Sequence, residues 1–183
     1  SEPVPFCVDA EHYKPLPFPE EFCIGYAGRV SPEKGFPFFT KVMESAASRK
    51  FRLAGVLQMA MQFPENAHYM GCLSLRDMLG FYRLSSVVAL PSYGEGIPGI
   101  VLEAYACGRP VIVTPESLPS ELPCFGWSVP HNVGEWKRTV EAITQAEVEE
   151  KGAAARAWLV ENWPSWTDFA VTMKGKFEGV LNG

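Results

Sequence analysis

The sequence has 183 residues, of which 47% are hydrophobic, so the chain is long enough and apolar enough to fold around a core. Its formal net charge is −5 without any broad basic cluster, which argues against nucleic acid as the main partner. Five widely spaced cysteines and three isolated histidines show no metal-ligand spacing, so we expect no metal site and a reduced, cytoplasmic protein. No apolar run is long enough to span a membrane, although peripheral association through another domain stays open.

The chain begins with a proline-rich stretch, which favours extended backbone over helix. An apolar run at residues 22–27 predicts the first strand, and a helix is expected over residues 36–49. The connection between them, GYAGRVSPEKG in sequence, carries Arg29 and Lys34 among glycines. Cations held beside a strand end can bind phosphate, and a solvated surface loop is the alternative for these two residues taken alone.

The following segment predicts two strands and a capped helix. Residues 51–56 and 68–70 are read as strands, the second of them short. The tripeptide at residues 71–73 then leads into a helix. Ser74 is expected to cap that helix with its side chain, because Asp77 follows in the first turn and the sequence then becomes helical in pattern.

The strongest pattern of the sequence lies at residues 87–114 and predicts a strand, a glycine-rich loop, a helix and a second strand. The first strand is expected at residues 87–90, where four apolar residues indicate burial on both faces. The helix is expected over residues 99–107, because Gly108 next to a proline is a typical stop signal. The second strand is expected at residues 111–113.

Two carboxylates, Glu95 and Glu103, frame the loop and helix of this unit and are separated by seven residues. The glycines Gly94, Gly96 and Gly99 allow the backbone to approach a ligand closely. Free N–H groups at the start of the following helix favour an anion. The pattern therefore indicates a ligand site. Without the surrounding glycines and prolines, the alternative is that Glu95 is an ordinary polar turn residue and Glu103 an ordinary exposed residue of a helix.

The last third of the chain predicts one more strand and further helices. After a loop at residues 115–123, residues 125–129 are read as the final strand. Asn132 is expected to cap a helix over residues 133–144, and residues 147–162 continue as helix. Alternating strands and helices of this kind predict an α/β fold, a Rossmann-like doubly wound parallel sheet of about six strands with its ligand at the carboxyl ends of the strands.

Three segments carry a resemblance to a known family: GYAGRVSPEKG, YMGCLSLRDMLGFYRLSSVVALPS and EGIPGIVLEAYACGRPVI. They resemble the C-terminal, donor-binding domain of retaining glycosyltransferases of the GT-B fold, in particular the family 4 group. The resemblance covers nearly the whole chain and implies the C-terminal half of a GT-B fold. It divides the chain into an inter-domain linker remnant at residues 1–21, a nucleotide-sugar-binding domain at residues 22–163, and a C-terminal helix at residues 164–183 that would cross to an N-terminal domain absent from this chain.

The resemblance also implies roles for individual residues. Arg29 and Lys34 would hold the donor diphosphate and Glu95 the donor sugar, and these three are the expected catalytic residues. Glu103 would accept hydrogen bonds from the ribose hydroxyls. Backbone groups at residues 71–73, after the predicted strand at residues 68–70, would read the base. The N–H groups at residues 97–100 would face the phosphate or the sugar. The expected backbone contacts with the donor are Gly28, Gly71, Cys72, Leu73, Gly96, Ile97, Pro98, Gly99 and Ile100.

The function implied by the resemblance is transfer of a hexosyl group from a nucleotide sugar, such as a UDP- or GDP-hexose, without a metal or other cofactor. The acceptor, a sugar or a lipid, would bind largely to the other domain, so the chain alone is expected to be inactive. The family's glycine-rich turns after residues 56 and 114 are missing here. A binding or regulatory module without transferase activity, or an epimerase or phosphorylase half, therefore stays open as the alternative.

Overall fold

The computed structural model describes residues 7–181, without the side chains of residues 179–181. The start of the predicted linker, residues 1–6, and the end of the predicted C-terminal helix, residues 182–183, lie outside the described residues. The strands and helices within residues 7–181 are β1 Cys23–Ala27, α1 Phe36–Ser45, β2 Lys50–Ala54, β3 Ala67–Tyr69, α2 Leu75–Arg83, β4 Val87–Leu90, α3 Gly99–Ala106, β5 Val111–Val113, β6 Gly126–Ser128, α4 Val133–Ala142, α5 Gln145–Asn162 and α6 Trp166–Leu181.

The six strands form one parallel sheet in the order β3-β2-β1-β4-β5-β6, which confirms the predicted Rossmann-like fold. The chain builds outward from β1 to one edge and then returns to build outward from β4 to the other. The order therefore reverses between β1 and β4, where Ile24 lies opposite Val87. Open sheets of this type bind ligands at the carboxyl ends of the strands at the reversal point.

Helices cover both faces of the sheet. The strand side chains point alternately to the two faces and are apolar on both, so each face is buried under helices. In β4, Val88 and Leu90 pack in one layer with α3 and part of α5, whereas Val87 and Ala89 pack in the other with α1 and α4. The two layers hold the sheet between them, so the carboxyl ends of β1 and β4 are fixed relative to each other.

The predicted helix caps are largely confirmed, and the helix ends differ by a few residues. Ser74 and Asn132 each accept a hydrogen bond from a backbone N–H in the first turn, as expected. The helix α1 ends at Ser45, four residues earlier than predicted. The helix α5 begins earlier than predicted, because Thr144 and Glu147 form a reciprocal capping box that the sequence reading overlooked.

The segment before β1, which was predicted to be a linker, packs on the domain. Buried Arg109 donates hydrogen bonds to the carbonyl oxygens of Leu16 and Pro17 at 2.9 and 2.6 Å. Arg156 donates to the carbonyls of Ala10 and Tyr13 at 3.1 and 3.0 Å. These two arginines attach the segment to α5 and to the loop after α3. The division of the chain into linker, domain and C-terminal helix stays a prediction.

Candidate functional site

The candidate site lies where the sheet order reverses. The loop after β1, residues 28–35, and the loop after β4, residues 91–98, leave the sheet side by side at its carboxyl end. The first loop carries the predicted cations and the second carries the first predicted glutamate. We call residues 91–98 the Glu95 loop.

The two loops are packed so closely that a glycine is required between them. Gly35 has a φ of 67°, and a Cβ atom at this residue would lie 1.9 Å from the carbonyl oxygen of Pro91. The backbone N–H of Tyr93 also donates to the carbonyl of Glu33 at 3.3 Å. The first loop therefore supports the backbone of the Glu95 loop.

Lys34 and Glu95 form an ion pair across the two loops. The Lys34 Nζ atom lies 2.7 Å from both carboxylate oxygens of Glu95. The Ser92 hydroxyl donates a third hydrogen bond to Glu95 Oε1 at 2.6 Å. Only 23% of the Lys34 side chain and 13% of the Glu95 side chain are exposed. The structure thus brings these two predicted residues together and fixes the orientation of the carboxylate.

The ion pair borders a cleft of about 210 Å³ at the start of α3. Pro98 is the residue before α3, and within the described residues no side chain caps this helix end. A proline has no N–H, so the predicted donors at residues 97–100 are corrected to Ile97, Gly99 and Ile100. Uncapped N–H groups and the helix dipole make this end of the cleft favourable for an anion.

Glu103 lies one helical turn further into the domain and is held by a tyrosine. The Tyr82 hydroxyl donates to Glu103 Oε2 at 2.6 Å. Burial raises the pKa of the Glu103 carboxyl, and the hydroxyl groups of Tyr82 and Tyr13 partly oppose this rise. The Tyr13 hydroxyl is close enough to lower the pKa of this carboxyl, but it is buried and forms no hydrogen bond of regular geometry. Sequence reasoning assigned no role to either tyrosine.

A second cleft of about 240 Å³ adjoins the first. Glu103 lines this cleft together with Gly28 and Ile100, and the latter two residues also line the cleft beside the ion pair. Beyond Glu103, a cavity of about 470 Å³ continues toward the segment before β1, where Tyr13 and His12 form part of its wall. The three cavities share lining residues and so adjoin one another, and we call the row that they form from Lys34 past both glutamates the trough.

The remaining predicted residues lie at the margin of the trough. Arg29 is exposed, forms no ion pair with another described residue, and is absent from the lining of both clefts. The carbonyl of Gly71 accepts a hydrogen bond from the backbone N–H of Gly55, which lines the second cleft. Cys72 is exposed, and Leu73 packs against the apolar core. The structure thus pairs Lys34 with Glu95, places Glu103 in the neighbouring cleft, and leaves Arg29 out of the lining of both clefts.

The reversed parallel sheet with flanking helices is the α/β Rossmann-like fold of GT-B glycosyltransferases. Residues 21–145 match the family model described as glycosyl transferases group 1, and the chain belongs to this family. A similar curated relative is the D-inositol 3-phosphate glycosyltransferase of a Mycobacterium species, strain KMS. It is 25% identical over an alignment 143 residues long, and the match covers 68% of this chain and 33% of the relative.

Two solved structures show the same fold. Sucrose-phosphate synthase from Thermosynechococcus elongatus superposes with a TM-score of 0.81 at 19% identity, over 98% of this chain and 52% of that one. The Anabaena protein HepE, solved in complex with UDP, superposes with a TM-score of 0.76 at 17% identity, over 96% of this chain and 56% of that one. The chain thus spans about a third of this curated relative and about half of these two structures.

Two further properties concern metals and membranes. Among residues 7–181, no three histidine, cysteine, aspartate or glutamate side chains come close enough together to hold a metal ion. In the same part of the chain, no helix has both the length and the apolar character needed to cross a membrane.

Proposed function

We propose that this chain is the donor-binding domain of a retaining glycosyltransferase and binds a nucleoside-diphosphate sugar in the trough at the carboxyl ends of β1 and β4. Joined to a second domain that carries the acceptor, it would transfer a hexosyl group. The observation that carries the proposal is the Lys34–Glu95 ion pair beside the uncapped start of α3, with Glu103 further along the same trough. A UDP complex among the similar structures supports a nucleoside diphosphate as ligand.

The trough offers a separate partner for each part of such a donor. Lys34 and the N–H groups at the start of α3 would hold the diphosphate, and Glu95 would accept hydrogen bonds from the sugar hydroxyls. Glu103 would accept hydrogen bonds from the ribose, as a carboxylate can take two at once. Arg29 would join the diphosphate only if its exposed side chain turned toward the cleft on binding.

The chemistry assigned to these groups is electrostatic. When the bond between sugar and phosphate breaks, the diphosphate gains negative charge, which Lys34 and the helix dipole would stabilise from fixed positions. We propose that the protein needs no metal or other cofactor for this step. We also propose a cytoplasmic location, and the five cysteines, all of them free, are consistent with a reducing compartment.

The alternative is a module that kept the fold and lost the transferase reaction, or an epimerase or phosphorylase half. The relatives and structures described above carry glycosyltransferase or synthase names, or were solved with UDP, and none of them favours this alternative.

Ligand binding to the 183-residue chain tests the proposal. UDP-, GDP- and ADP-sugars are titrated into wild type, into the Arg29→Ala/Lys34→Ala double variant, and into a Lys41→Ala/Arg83→Ala control. The control also removes one lysine and one arginine, both of them exposed on helices. We expect wild type and control to bind at least one nucleotide sugar alike. The double variant should lose at least about tenfold in affinity, since a hydrogen bond to a charged group contributes about 1.5–3 kcal/mol. Equal or undetectable binding in all three proteins would contradict the proposal.

A further inference from the structure

A histidine that follows the edge strand β6 contacts the Glu95 loop twice. His131 follows β6, and its Nε2 atom lies 2.9 Å from the carbonyl oxygen of Pro91. A carbonyl can only accept, so Nε2 must carry the proton and donate. The His131 ring also stacks on the Tyr93 ring, with 4.1 Å between the centroids and 9° between the planes. One side chain therefore contacts both the backbone and a side chain of the loop.

His131 is itself held from two other directions. The Phe38 ring on α1 packs edge-on against it, with a centroid distance of 5.0 Å. The Glu116 carboxylate lies 3.6 Å from Nδ1 and would become an ion-pair partner of a protonated ring. Only 16% of the His131 side chain is exposed. The imidazole is therefore well placed to fix a neighbouring segment.

The contacts of His131 lie immediately next to the residues that orient Glu95. Pro91 precedes Ser92, whose hydroxyl binds Glu95 Oε1 and whose carbonyl accepts a hydrogen bond from the Thr114 hydroxyl. The other contact of His131 is with Tyr93, which follows Ser92 and is 58% exposed. His131 thus acts on the loop on either side of Ser92.

The middle of the loop needs such support because the residues beside Glu95 give it little stiffness. Gly94 and Gly96 flank Glu95, and a Cβ at either glycine would meet nothing within 4 Å. Glycines in open space leave the backbone many conformations. The position of Glu95 therefore depends on contacts made from outside the loop. Those of Lys34, Thr114 and His131 are polar, as is the backbone hydrogen bond from Tyr93 to Glu33.

We propose that His131 is a positioning residue for donor-sugar recognition: it holds the Glu95 loop so that the Glu95 carboxylate faces the sugar. This inference rests on the proposed function, in which Glu95 binds the sugar hydroxyls. None of the hydrogen-bond, ion-pair and ring contacts of His131 described above is with Lys34 or the start of α3. Its loss should therefore affect the sugar and spare the diphosphate.

Three variants of the 183-residue chain separate the two contacts of His131. His131→Phe keeps a ring for stacking and loses the hydrogen bond, His131→Gln keeps an N–H donor and loses the ring, and His131→Ala loses both. His68→Ala, at an exposed histidine on β3, is the matched control. Each protein is titrated with UDP-glucose, GDP-mannose and ADP-glucose and with UDP, GDP and ADP, after thermal unfolding has shown that it is folded. Hydrogen exchange is followed for the amides of residues 92–97.

We expect wild type to bind one nucleotide sugar more tightly than its nucleoside diphosphate. His131→Ala should lose about tenfold of the sugar-dependent affinity, keep the affinity for the nucleoside diphosphate, and exchange faster at residues 92–97. The Phe and Gln variants should fall between wild type and Ala, and His68→Ala should match wild type.

The outcomes distinguish this inference from the function on which it rests. If wild type prefers the nucleotide sugar and His131→Ala shows the same preference, the positioning role is overturned and the proposed function stands. An equal loss for sugar and nucleoside diphosphate also overturns it, because the effect would then not be specific to Glu95. If wild type binds no nucleotide of either kind, the proposed function fails and the sugar-recognition role fails with it.

Discussion

At the scale of single residues, the most informative feature is that Lys34 forms an ion pair with Glu95 and is not an unpaired cation. Both of its hydrogen bonds are 2.7 Å long, and the Ser92 hydroxyl contacts the same carboxylate. A donor diphosphate would compete with Glu95 for the ammonium group. In the proposed function, the pair would therefore couple recognition of the diphosphate to recognition of the sugar.

Replacing Glu95 by glutamine separates these two parts of binding. Glu95→Gln removes the negative charge nearest to Lys34 and keeps an oxygen that can accept from Ser92. We expect unchanged or tighter binding of a nucleoside diphosphate, since the ammonium becomes available and a repulsive charge is lost. The additional affinity contributed by the sugar should fall about tenfold. Isothermal titration with both ligands measures the two affinities, and an equal loss for both would contradict a contribution of Glu95 that is specific to the sugar.

Glu103 shows how a site residue can lower stability. Burial raises the pKa of its carboxyl, so the folded state binds the proton more tightly than the unfolded state does. The free energy of unfolding therefore falls as the pH rises from the ordinary glutamate pKa of 4.5 through the raised pKa. Above the raised pKa, the full cost of burying the charged carboxylate lowers the stability. We expect Glu103→Gln to unfold at a higher temperature than wild type at pH 7, with the difference shrinking toward zero below pH 4.5.

Glu147 is the control, because its pKa is shifted in the opposite direction. Hydrogen bonds from Thr144 lower the pKa of its carboxyl, so its contribution to stability is present above the ordinary pKa and is lost as the pH falls through the lowered one. Glu147→Gln should therefore be slightly less stable than wild type at pH 7. Thermal unfolding of both variants between pH 3 and 8 compares them. A Glu103→Gln variant less stable than wild type at pH 7 would show that the hydrogen bond from Tyr82 outweighs the cost of burying the charge.

At the scale of elements, the site depends on the contact between two strand–loop–helix units. One unit is β1, its loop and α1, and the other is β4, the Glu95 loop and α3. Gly35 lies at their closest approach, with a positive φ and a neighbouring carbonyl where a Cβ would stand. The strands set the distance between the units, and this glycine allows the loops to meet.

A substitution at Gly35 tests this contact. Gly35→Ala should destabilise the protein by more than about 1 kcal/mol, because a positive φ disfavours alanine and its Cβ would collide with the Pro91 carbonyl. Gly80→Ala is the matched control, since Gly80 lies within α2 and a Cβ there meets nothing within 4 Å. The control should be stabilised by about 0.5–1 kcal/mol, as alanine favours helix. Urea unfolding measures both variants, and equal effects would show that the close approach is unimportant.

At the scale of the whole molecule, the trough is built from segments far apart in the chain. The segment before β1 forms a wall of its far end with Tyr13, and Trp166 on α6 lines the same cavity. Several apolar side chains of α6 are exposed, among them Val171 and Phe177. In the proposed function this helix would meet the acceptor-carrying domain.

The 183-residue chain by itself should bind a nucleotide sugar weakly and transfer no sugar. Transfer needs an acceptor held against the donor, and the proposal places that acceptor mostly on another domain. A radiolabelled nucleotide sugar incubated with the chain and a panel of sugar and lipid acceptors provides the measurement. Formation of a labelled product above the rate without protein would contradict the prediction, and a protein that includes the second domain is the positive control.

The sequence by itself determined the order of strands and helices, the family, and the two glutamates and the lysine that line the trough. Strand composition, caps such as Ser74 and the loop glycines are local signals, so they can be read without the fold. The tertiary structure alone decided which groups touch. Lys34 and Glu95 are 61 residues apart, and they meet because the sheet order reverses between β1 and β4. The partners of Glu103 and the contacts of His131 depend on that same packing, which no local pattern in the sequence encodes.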